Sequence, residues 1–328
     1  MQHFLEQLDM QPKSNRLEHI DILKGLLIIL VVIGHIGGIP TLHKYIYWFH
    51  MPCFFMISGY LFQAKKKKTK NIIITKIQNY TIPYLFWSIF FYLIFIPEPI
   101  PKNIIRVIWG GSLNSLQYSY QFWFINALCL ASIIFYFFQK IENNIIKNSL
   151  LIIMITITYL LSNTKLLTFY PWECQTVPLI IVYMFIGLKL KDIQINHYKL
   201  FTIFTIIIFT IIYDYFTDYR FSLKGLGCVT NPIIDLLLPT AIFILLNYFS
   251  KLLSQSAISL FLTQIGSASM FIFFTHTACI NIMKGYNVNH ILIIIFCILS
   301  PTILKAYLSK IKYSNYIIGV SSQKLAHN

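Results

Sequence analysis

The sequence has 328 residues, of which 57% are hydrophobic and only 11% are charged, and its mean hydropathy is +0.67. Soluble globular domains carry roughly a quarter charged residues, so this composition excludes an ordinary water-soluble fold. A bilayer accommodates it, because the hydrocarbon core takes roughly 20 apolar residues per helical span. The formal net charge of +15 does not indicate nucleic-acid binding, since the basic residues are scattered in short segments between apolar runs.

The apolar segments, taken in chain order, predict an all-α integral membrane protein with about ten transmembrane helices, because lipid cannot satisfy open backbone polar groups. A cytoplasmic N-terminal segment, 1–19, precedes a membrane domain, 20–310, and a cytoplasmic tail, 311–328, follows it. The predicted spans are residues 20–38, 45–63, 80–97, 118–138, 148–163, 176–190, 200–216, 233–249, 267–283 and 290–308.

The orientation follows from Lys and Arg, which concentrate in cytoplasmic loops. If the N-terminus is inside, most of the 26 Lys and Arg residues fall in inside segments, including the lysines at 65–68 and 70. We therefore expect both termini in the cytoplasm. The largest outside loops are then about 98–117, 164–175 and 217–232. The aromatic residues near the outer ends of the spans are typical of an interfacial belt: Trp109, Tyr118, Tyr120, Trp123 and Trp172.

The first predicted span carries three ionisable side chains, Asp21, Lys24 and His35, and such groups are costly in lipid. On a helix, His35 lies within about 20° of the face of Lys24 and about 16 Å further along the axis, and Asp21 lies on the same stripe. Such a stripe faces protein or a water-filled cavity. The alternatives are a simple ion pair of Asp21 with Lys24 at the cytoplasmic end, and a core histidine bonded to a backbone carbonyl.

The second predicted span begins with a stretch that contains His50 and Pro52. The first two spans form an antiparallel hairpin, so His50 and His35 are expected at similar depth. Pro52 is expected to bend the helix beside His50, and Ser58 and Gly59 are small enough to allow close helix packing. The alternative is that His50 is an interfacial histidine of the aromatic belt.

Later in the chain, His276 lies in the ninth predicted span, in the outer half of the membrane, after small residues typical of a packing face. Asp214, Asp218 and Asp235 flank an outside loop, where we expect solvation rather than substrate binding. No spacing of the histidines supports metal ligation. The sequence also has no Walker motif and no nucleophile elbow.

Several motifs, in the right order from residue 16 to about 280, together resemble the membrane acyltransferase family 3, with the greatest similarity to its fucose 4-O-acetylase-like branch. The motifs are Lys24 and His35 with ten residues between them, Trp48-Phe49-His50-Met51-Pro52, Ser58-Gly59-Tyr60-Leu61, Phe122-Trp123-Phe124, and Gly266-Ser267 leading to Phe273-Phe274-Thr275-His276.

The resemblance implies a ten-helix enzyme that takes acetyl-CoA from the cytoplasm and acetylates a hydroxyl of a lipopolysaccharide, capsule, exopolysaccharide or peptidoglycan on the outer side. It implies that Lys24 and His35 fill the family's basic-residue and histidine motif, with His35 as the catalytic group. One feature departs from the pattern. Many members have an Arg-x-x-Arg pair before the stretch at 82–84, where this chain has Lys76 and Asn79.

Acyl transfer needs a base, a stabilised oxyanion and cations for the coenzyme A phosphates. Histidine suits the base, because its pKa lies near neutrality. We therefore predict that His35 is the base or the acyl acceptor, and that His50 orients it or donates to the oxyanion. Lys24 and Lys76, with Asp21 nearby, are predicted to bind acyl-CoA at the cytoplasmic face.

On the acceptor side, Trp123, Ser58 and His276 are predicted to support the site or the glycan. We expect no bound cofactor and no metal. The predicted partners are acetyl-CoA as acyl donor, a glycan or lipid-linked glycan as acceptor, and the lipid bilayer, without nucleic acid. Richness in Ile, Lys and Asn is typical of an AT-rich bacterial genome, so we expect a multi-pass protein of a bacterial cytoplasmic (inner) membrane.

Two alternatives remain open from the sequence. A transporter, flippase or polymerase of lipid-linked glycans would share the composition, but transport paths distribute ionisable groups near the midplane and through both halves of the membrane. An inactive family member that acts through interactions is the second alternative. Lys24 and His35 argue against it and Asn79 leaves it open.

Overall fold

The computed structural model of the protein describes residues 17–38, 40–63, 69–95, 100–111, 118–162, 170–312 and 314–319. Within these ranges the regular structure is helical, with one isolated antiparallel bridge between Ser222 and Cys228. The predicted all-α class is confirmed. Most of the segment 1–19, the lysines at 65–68 and most of the tail 311–328 lie outside the described residues.

Within the described ranges, short turns connect several of the helices. A π-helical turn, Ile77–Thr81, joins α4 to α5, and 3-10 turns occupy Pro171–Thr176, Leu190–Asp192 and Lys224–Leu226. The helices are α1 (Glu18–Ile36), α2 (Pro40–Tyr47), α3 (His50–Tyr60), α4 (Thr69–Lys76), α5 (Ile82–Phe95), α6 (Ile100–Trp109), α7 (Trp123–Gln139), α8 (Asn144–Ser162), α9 (Val177–Lys189), α10 (His197–Thr217), α11 (Pro232–Leu253), α12 (Ser259–Ser267), α13 (Ser269–Gly285), α14 (His290–Leu308) and α15 (Asn315–Ile318).

Among the described residues, six helical segments are long and apolar enough to cross a membrane: α1, α8, the segment Pro171–Asp192 that contains α9, α10, α11 and α14. The pair α12 and α13, bent by 75° at a break of one residue, makes a seventh if it counts as one span. The protein is therefore a multi-pass membrane protein by the length and composition of its helices. The count of about ten spans and the inside location of both termini stay predictions.

Helix α1 lies at the centre of the bundle, where it packs against α2, α3, α11, α12, α13 and α14. Its apolar side chains point in every direction, and Leu23, Leu27 and Val32 are fully buried. A helix that is apolar all round belongs in such a core. The outer helices α8, α10 and α14 instead expose large apolar side chains, as lipid-facing helices do.

Glycines bring two pairs of helices into backbone contact. A Cβ on Gly59 of α3 would clash with the carbonyl group of Met184 in α9, and one on Gly187 would clash with the carbonyl group of Met56. Gly266 of α12 approaches the backbone of α1 in the same way. Small residues allow this close approach, so the predicted packing role of Gly59 is confirmed.

The disturbance predicted beside His50 is present as a break between two helices and not as a bend within one. Helix α2 ends at Tyr47 and α3 begins at His50, so the break lies just before the histidine. Pro52 occupies the first turn of α3. A proline there removes no helical hydrogen bond, because the first N–H groups of a helix have no intrahelical acceptor.

The expectation of solvated aspartates is wrong for Asp235, which is 0% exposed at the start of α11. Its carboxylate accepts hydrogen bonds from the hydroxyls of Tyr159, at 2.7 Å, and Tyr219, at 2.5 Å. Two backbone N–H groups of the preceding loop, at residues 230 and 231, donate to it as well. The loop before α11 folds back over the start of the helix. Its N–H groups, and not water, solvate the Asp235 carboxylate.

Asp214 and Asp218 differ in exposure. Asp214 is buried, so the expectation of solvation is wrong for it too, whereas Asp218 is exposed. Both carboxylates pair with Lys44 of α2. Arg220 also pairs with Asp218, at 2.9 Å. These two cations hold the pKa of the Asp218 carboxyl below its ordinary value. The ion pairs tie α2 to the end of α10.

Candidate active site

Two histidines from distant parts of the chain meet at the end of α1. His35 lies in the last turn of α1 and His276 lies in α13, with ring centroids 4.9 Å apart and ring planes at 75°. Tyr47 of α2 joins them from the other side, with its ring 5.8 Å from that of His35 and 4.8 Å from that of His50. His276 and His50 are buried, and His35 is partly buried.

All three histidines have the same protonated nitrogen. In His35, His50 and His276 the Nδ1 atom lies within hydrogen-bond distance of a backbone carbonyl three or four residues earlier. A carbonyl oxygen only accepts, so Nδ1 carries the hydrogen and the neutral ring keeps a lone pair on Nε2. The acceptors are the carbonyl oxygens of Val31 at 2.8 Å, Ile46 at 2.7 Å, Ile272 at 3.0 Å and Phe273 at 2.9 Å.

His35 therefore makes the hydrogen bond to a backbone carbonyl that is expected of a core histidine. This bond uses Nδ1 and leaves the basic Nε2 atom available. The hydroxyl of Tyr47 lies 3.3 Å from His35 Nε2 and can donate to it. His276 Nε2 is buried and has no hydrogen-bond partner among the described residues. A buried polar atom without a partner is costly and calls for a functional explanation.

Two further side chains beside the cluster are ones that the sequence analysis assigned elsewhere. Tyr120, predicted as part of the aromatic belt, has its ring 5.7 Å from that of His35. Lys224, counted only as an outside-loop cation, has its Nζ 5.2 Å from the centroid of the Tyr120 ring. The available signal for Tyr120 was its place two residues before Phe122. No sequence signal singled out Lys224.

The turn that carries Tyr120 is attached to α13 beside His276. Gln121 Nε2 donates to Thr277 Oγ1 at 2.5 Å, and Thr277 Oγ1 donates to the carbonyl oxygen of Tyr118 at 3.1 Å. Gln121 and Thr277 are both buried. Hydrogen bonds in a dry environment hold the turn firmly, so Tyr120 is fixed relative to both histidines.

The predicted acyl-CoA residues lie away from the histidines. Asp21 and Lys24 form an ion pair at 2.7 Å, with Asp21 buried and Lys24 partly exposed. About 16 Å of helix rise separates Lys24 from His35. Lys76 ends α4, and its Nζ lies 5.5 Å from the ring centroid of Tyr80. The structure therefore puts a charged pair and a histidine cluster at opposite ends of α1.

Two other predicted site residues make no hydrogen bond or ring contact to the three histidines among the described residues. Trp123 is buried at the start of α7, with its ring centroid 6.3 Å from that of Phe124. Ser58 donates its hydroxyl to the carbonyl oxygen of Phe54, one turn earlier in α3, at 3.2 Å. The described residues also contain no group of three or more His, Cys, Asp or Glu that could hold a metal ion.

An apolar helical bundle with two neighbouring histidines at one end of its central helix is a membrane protein suited to proton transfer or acyl transfer. A family model described as an acyltransferase domain matches residues 17–310. The chain therefore belongs to the membrane acyltransferase family 3, and the resemblance seen in its motifs is confirmed.

One curated relative has a short match. A stretch of 87 residues is 37% identical to the nodulation protein NolL of Sinorhizobium fredii (strain NBRC 101917 / NGR234). The match covers 23% of this chain and 24% of NolL, so the chain spans about a quarter of the length of that relative. No solved structure matches this chain.

Proposed function

We propose that this membrane acyltransferase moves an acetyl group from cytoplasmic acetyl-CoA to a hydroxyl of a cell-surface glycan, such as an O-antigen, a capsule or an exopolysaccharide. The proposal includes a bacterial cytoplasmic membrane, with the glycan or its lipid-linked precursor reaching the site from the outer side. His35 acts as the general base or as the acyl acceptor.

The observation that carries the proposal is the state of His35. Its Nδ1–H is bound to the carbonyl oxygen of Val31, so the lone pair of Nε2 faces the aromatic side chains and His276. A base held in one tautomer by a backbone carbonyl is ready to take a proton from a hydroxyl. The same lone pair can attack a thioester carbonyl, so both routes fit this geometry.

The two other histidines would support His35 in different ways. The neutral ring of His50 has no N–H left to donate, because Nδ1–H is bound to Ile46. Its role is then to orient Tyr47, whose ring it contacts and whose hydroxyl reaches His35. His276 presents a second lone pair next to His35 and would share the proton taken from the acceptor.

The donor would bind at the other end of α1. Coenzyme A phosphates need cations, and Lys24 carries one there beside Asp21. Lys76 supplies another at the end of α4. The thin pantetheine arm would run along α1 and present its thioester at His35, while the acceptor hydroxyl approaches from the side of Tyr120. Trp123 and Ser58 would support the walls of this route.

The reaction is tested by following labelled acetyl from acetyl-CoA into the glycan fraction of bacterial membranes that contain the chain. Label is expected with the wild type and none above background with His35→Ala. The control is His197→Ala, which removes an exposed histidine at the start of α10. An unlabelled glycan despite correct insertion of the wild type would contradict the proposal and favour a glycan transporter.

A further inference from the structure

The proposed transfer leaves one requirement unmet by the histidine cluster. When a hydroxyl attacks a thioester, the carbonyl oxygen becomes an oxyanion that needs a hydrogen-bond donor or a positive charge. The neutral rings of His35, His50 and His276 offer neither, because each N–H is bound to a backbone carbonyl. The hydroxyl of Tyr47 lies against His35 Nε2. A positive charge at the oxyanion would therefore come from a side chain other than these histidines.

Lys224 is delivered to this place by a short loop. The bridge between Ser222 and Cys228, with its N–H···O bond of 3.0 Å, closes the loop, and the 3-10 turn Lys224–Leu226 forms its tip. The Lys224 ammonium lies over the ring of Tyr120, and that ring in turn contacts His35. Lys224 is half-buried at this position.

A buried carboxylate holds the loop tip in place. Glu173 is 0% exposed, and its Oε2 accepts the backbone N–H of Gly225 at 3.2 Å and Gln175 Nε2 at 2.6 Å. The two segments that meet here have left-handed backbone at non-glycine residues, with φ of +56° at Glu173 and +53° at Leu226. Such conformations cost free energy and cluster at functional sites.

Two other lysines along the central helix and its neighbour are paired with carboxylates. Lys44 is paired with both Asp214 and Asp218 on the outer surface. Lys24 is paired with Asp21 at the far end of α1. Lys284 also approaches the end of α1, with its Nζ 3.8 Å from the position that a Cβ on Gly37 would take. Lys224 differs in that its ammonium lies over a ring that contacts His35 directly.

We propose that Lys224 is a catalytic residue whose ammonium group stabilises the oxyanion of the acyl-transfer step. This inference rests on the proposed function. The acceptor oxygen forms a bond to the thioester carbon, its proton passes to His35 Nε2, and the carbonyl π electrons move onto the oxygen beside Lys224. Collapse of this oxyanion expels the coenzyme A thiolate, which takes the proton back. If His35 attacks first, the same oxygen needs the same charge.

The ionisation of Lys224 makes the role testable. Burial lowers the pKa of Lys224 below its ordinary value, and the charge of Glu173 opposes this change. The titratable groups that face the lysine are Glu173, Tyr120 and His35. The ammonium form is present at low pH and is lost as the pH rises through the lowered pKa. Activity should therefore decline on the alkaline side.

The experiment measures labelled acetyl transfer from acetyl-CoA to native glycan in membranes, with saturation curves in acetyl-CoA across a pH series. Lys224→Gln should lower kcat by about 100-fold or more, as removal of an oxyanion donor does, with little change in KM for acetyl-CoA. Lys224→Arg should retain part of the activity, and its alkaline decline should move to higher pH because guanidinium stays charged. Arg220→Gln, at an exposed position before the same loop tip, is the control and should behave as the wild type.

Three results would overturn this inference while the wild type remains active. The first is a wild-type kcat in Lys224→Gln, and the second is an alkaline decline of activity in Lys224→Arg at the same pH as in the wild type. The third is recovery of activity in Lys224→Gln when the glycan content of the membranes is raised. The last result would mean that the lysine binds the acceptor. A wild type that transfers no acetyl group would overturn the proposed function itself, and the two failures are thus distinguishable.

Discussion

His35 and His276 meet edge to face, with ring centroids 4.9 Å apart, although they lie in the first and thirteenth of the described helices. Both rings keep a lone pair on Nε2, and that of His276 is buried with no partner among the described residues. A pair of bases at this distance can share one proton, and a shared proton spreads the positive charge that forms during acyl transfer.

Loss of His276 should therefore impair chemistry more than binding. We expect His276→Ala to lower kcat for acetyl transfer by about 100-fold, within the range for loss of an acid–base group, with little change in KM for acetyl-CoA. Thr275→Ala, in the same helix turn, is the control, because the Thr275 hydroxyl donates to backbone carbonyls of its own helix, those of Phe271 and Ile272. Equal kcat values for His276→Ala and the wild type would remove His276 from the reaction.

Lys24→Ala should weaken the binding of acetyl-CoA, the proposed acyl donor. Removing the cation at the far end of α1 weakens the attraction for coenzyme A phosphates, so KM for acetyl-CoA should rise several-fold while kcat stays nearly constant. Saturation curves in acetyl-CoA measure this change. Lys199→Ala, an exposed lysine at the start of α10, is the control. An unchanged KM would place the donor site elsewhere.

Gly59→Ala should destabilise the bundle. Its new Cβ would clash with the carbonyl group of Met184, so α3 and α9 would have to separate. Overpacking of this kind costs about 1–3 kcal/mol, and the melting temperature of the purified protein in detergent should fall. Gly285→Ala, which meets nothing within 4 Å, is the control. Equal melting temperatures for the two variants would show that the helices do not touch at Gly59.

The orientation can be tested with single cysteines. Arg220→Cys introduces an exposed thiol in the predicted outside loop, and Lys251→Cys introduces one in a predicted inside segment. An impermeant maleimide applied to intact cells should label Arg220→Cys above the wild-type level and label Lys251→Cys only after lysis. The reverse pattern would overturn the predicted orientation, since Lys and Arg bias is a statistical rule.

The class of protein could be predicted from the sequence, because the patterns that indicate it are local in the chain. Apolar runs indicate membrane helices without knowledge of their neighbours, and the spacing of Lys24 and His35 puts both on one helix face whatever surrounds that helix. The close approach at Gly59 was also foreseeable, since a residue without a Cβ allows backbone contact wherever it faces another helix. The family followed from motifs in order, which is again a property of the chain alone.

Tertiary structure decided which of these residues form a site. His276 reaches His35, Tyr120 leaves the belt to contact it, and Lys224 arrives on a loop tip held by Glu173. Asp235, which looked solvated in the sequence, is buried under tyrosines from two other segments. Helical periodicity says which face of a helix is polar. Only the packing of helices distant in the chain determines what that face meets, because burial and charge depend on neighbours that no local pattern specifies.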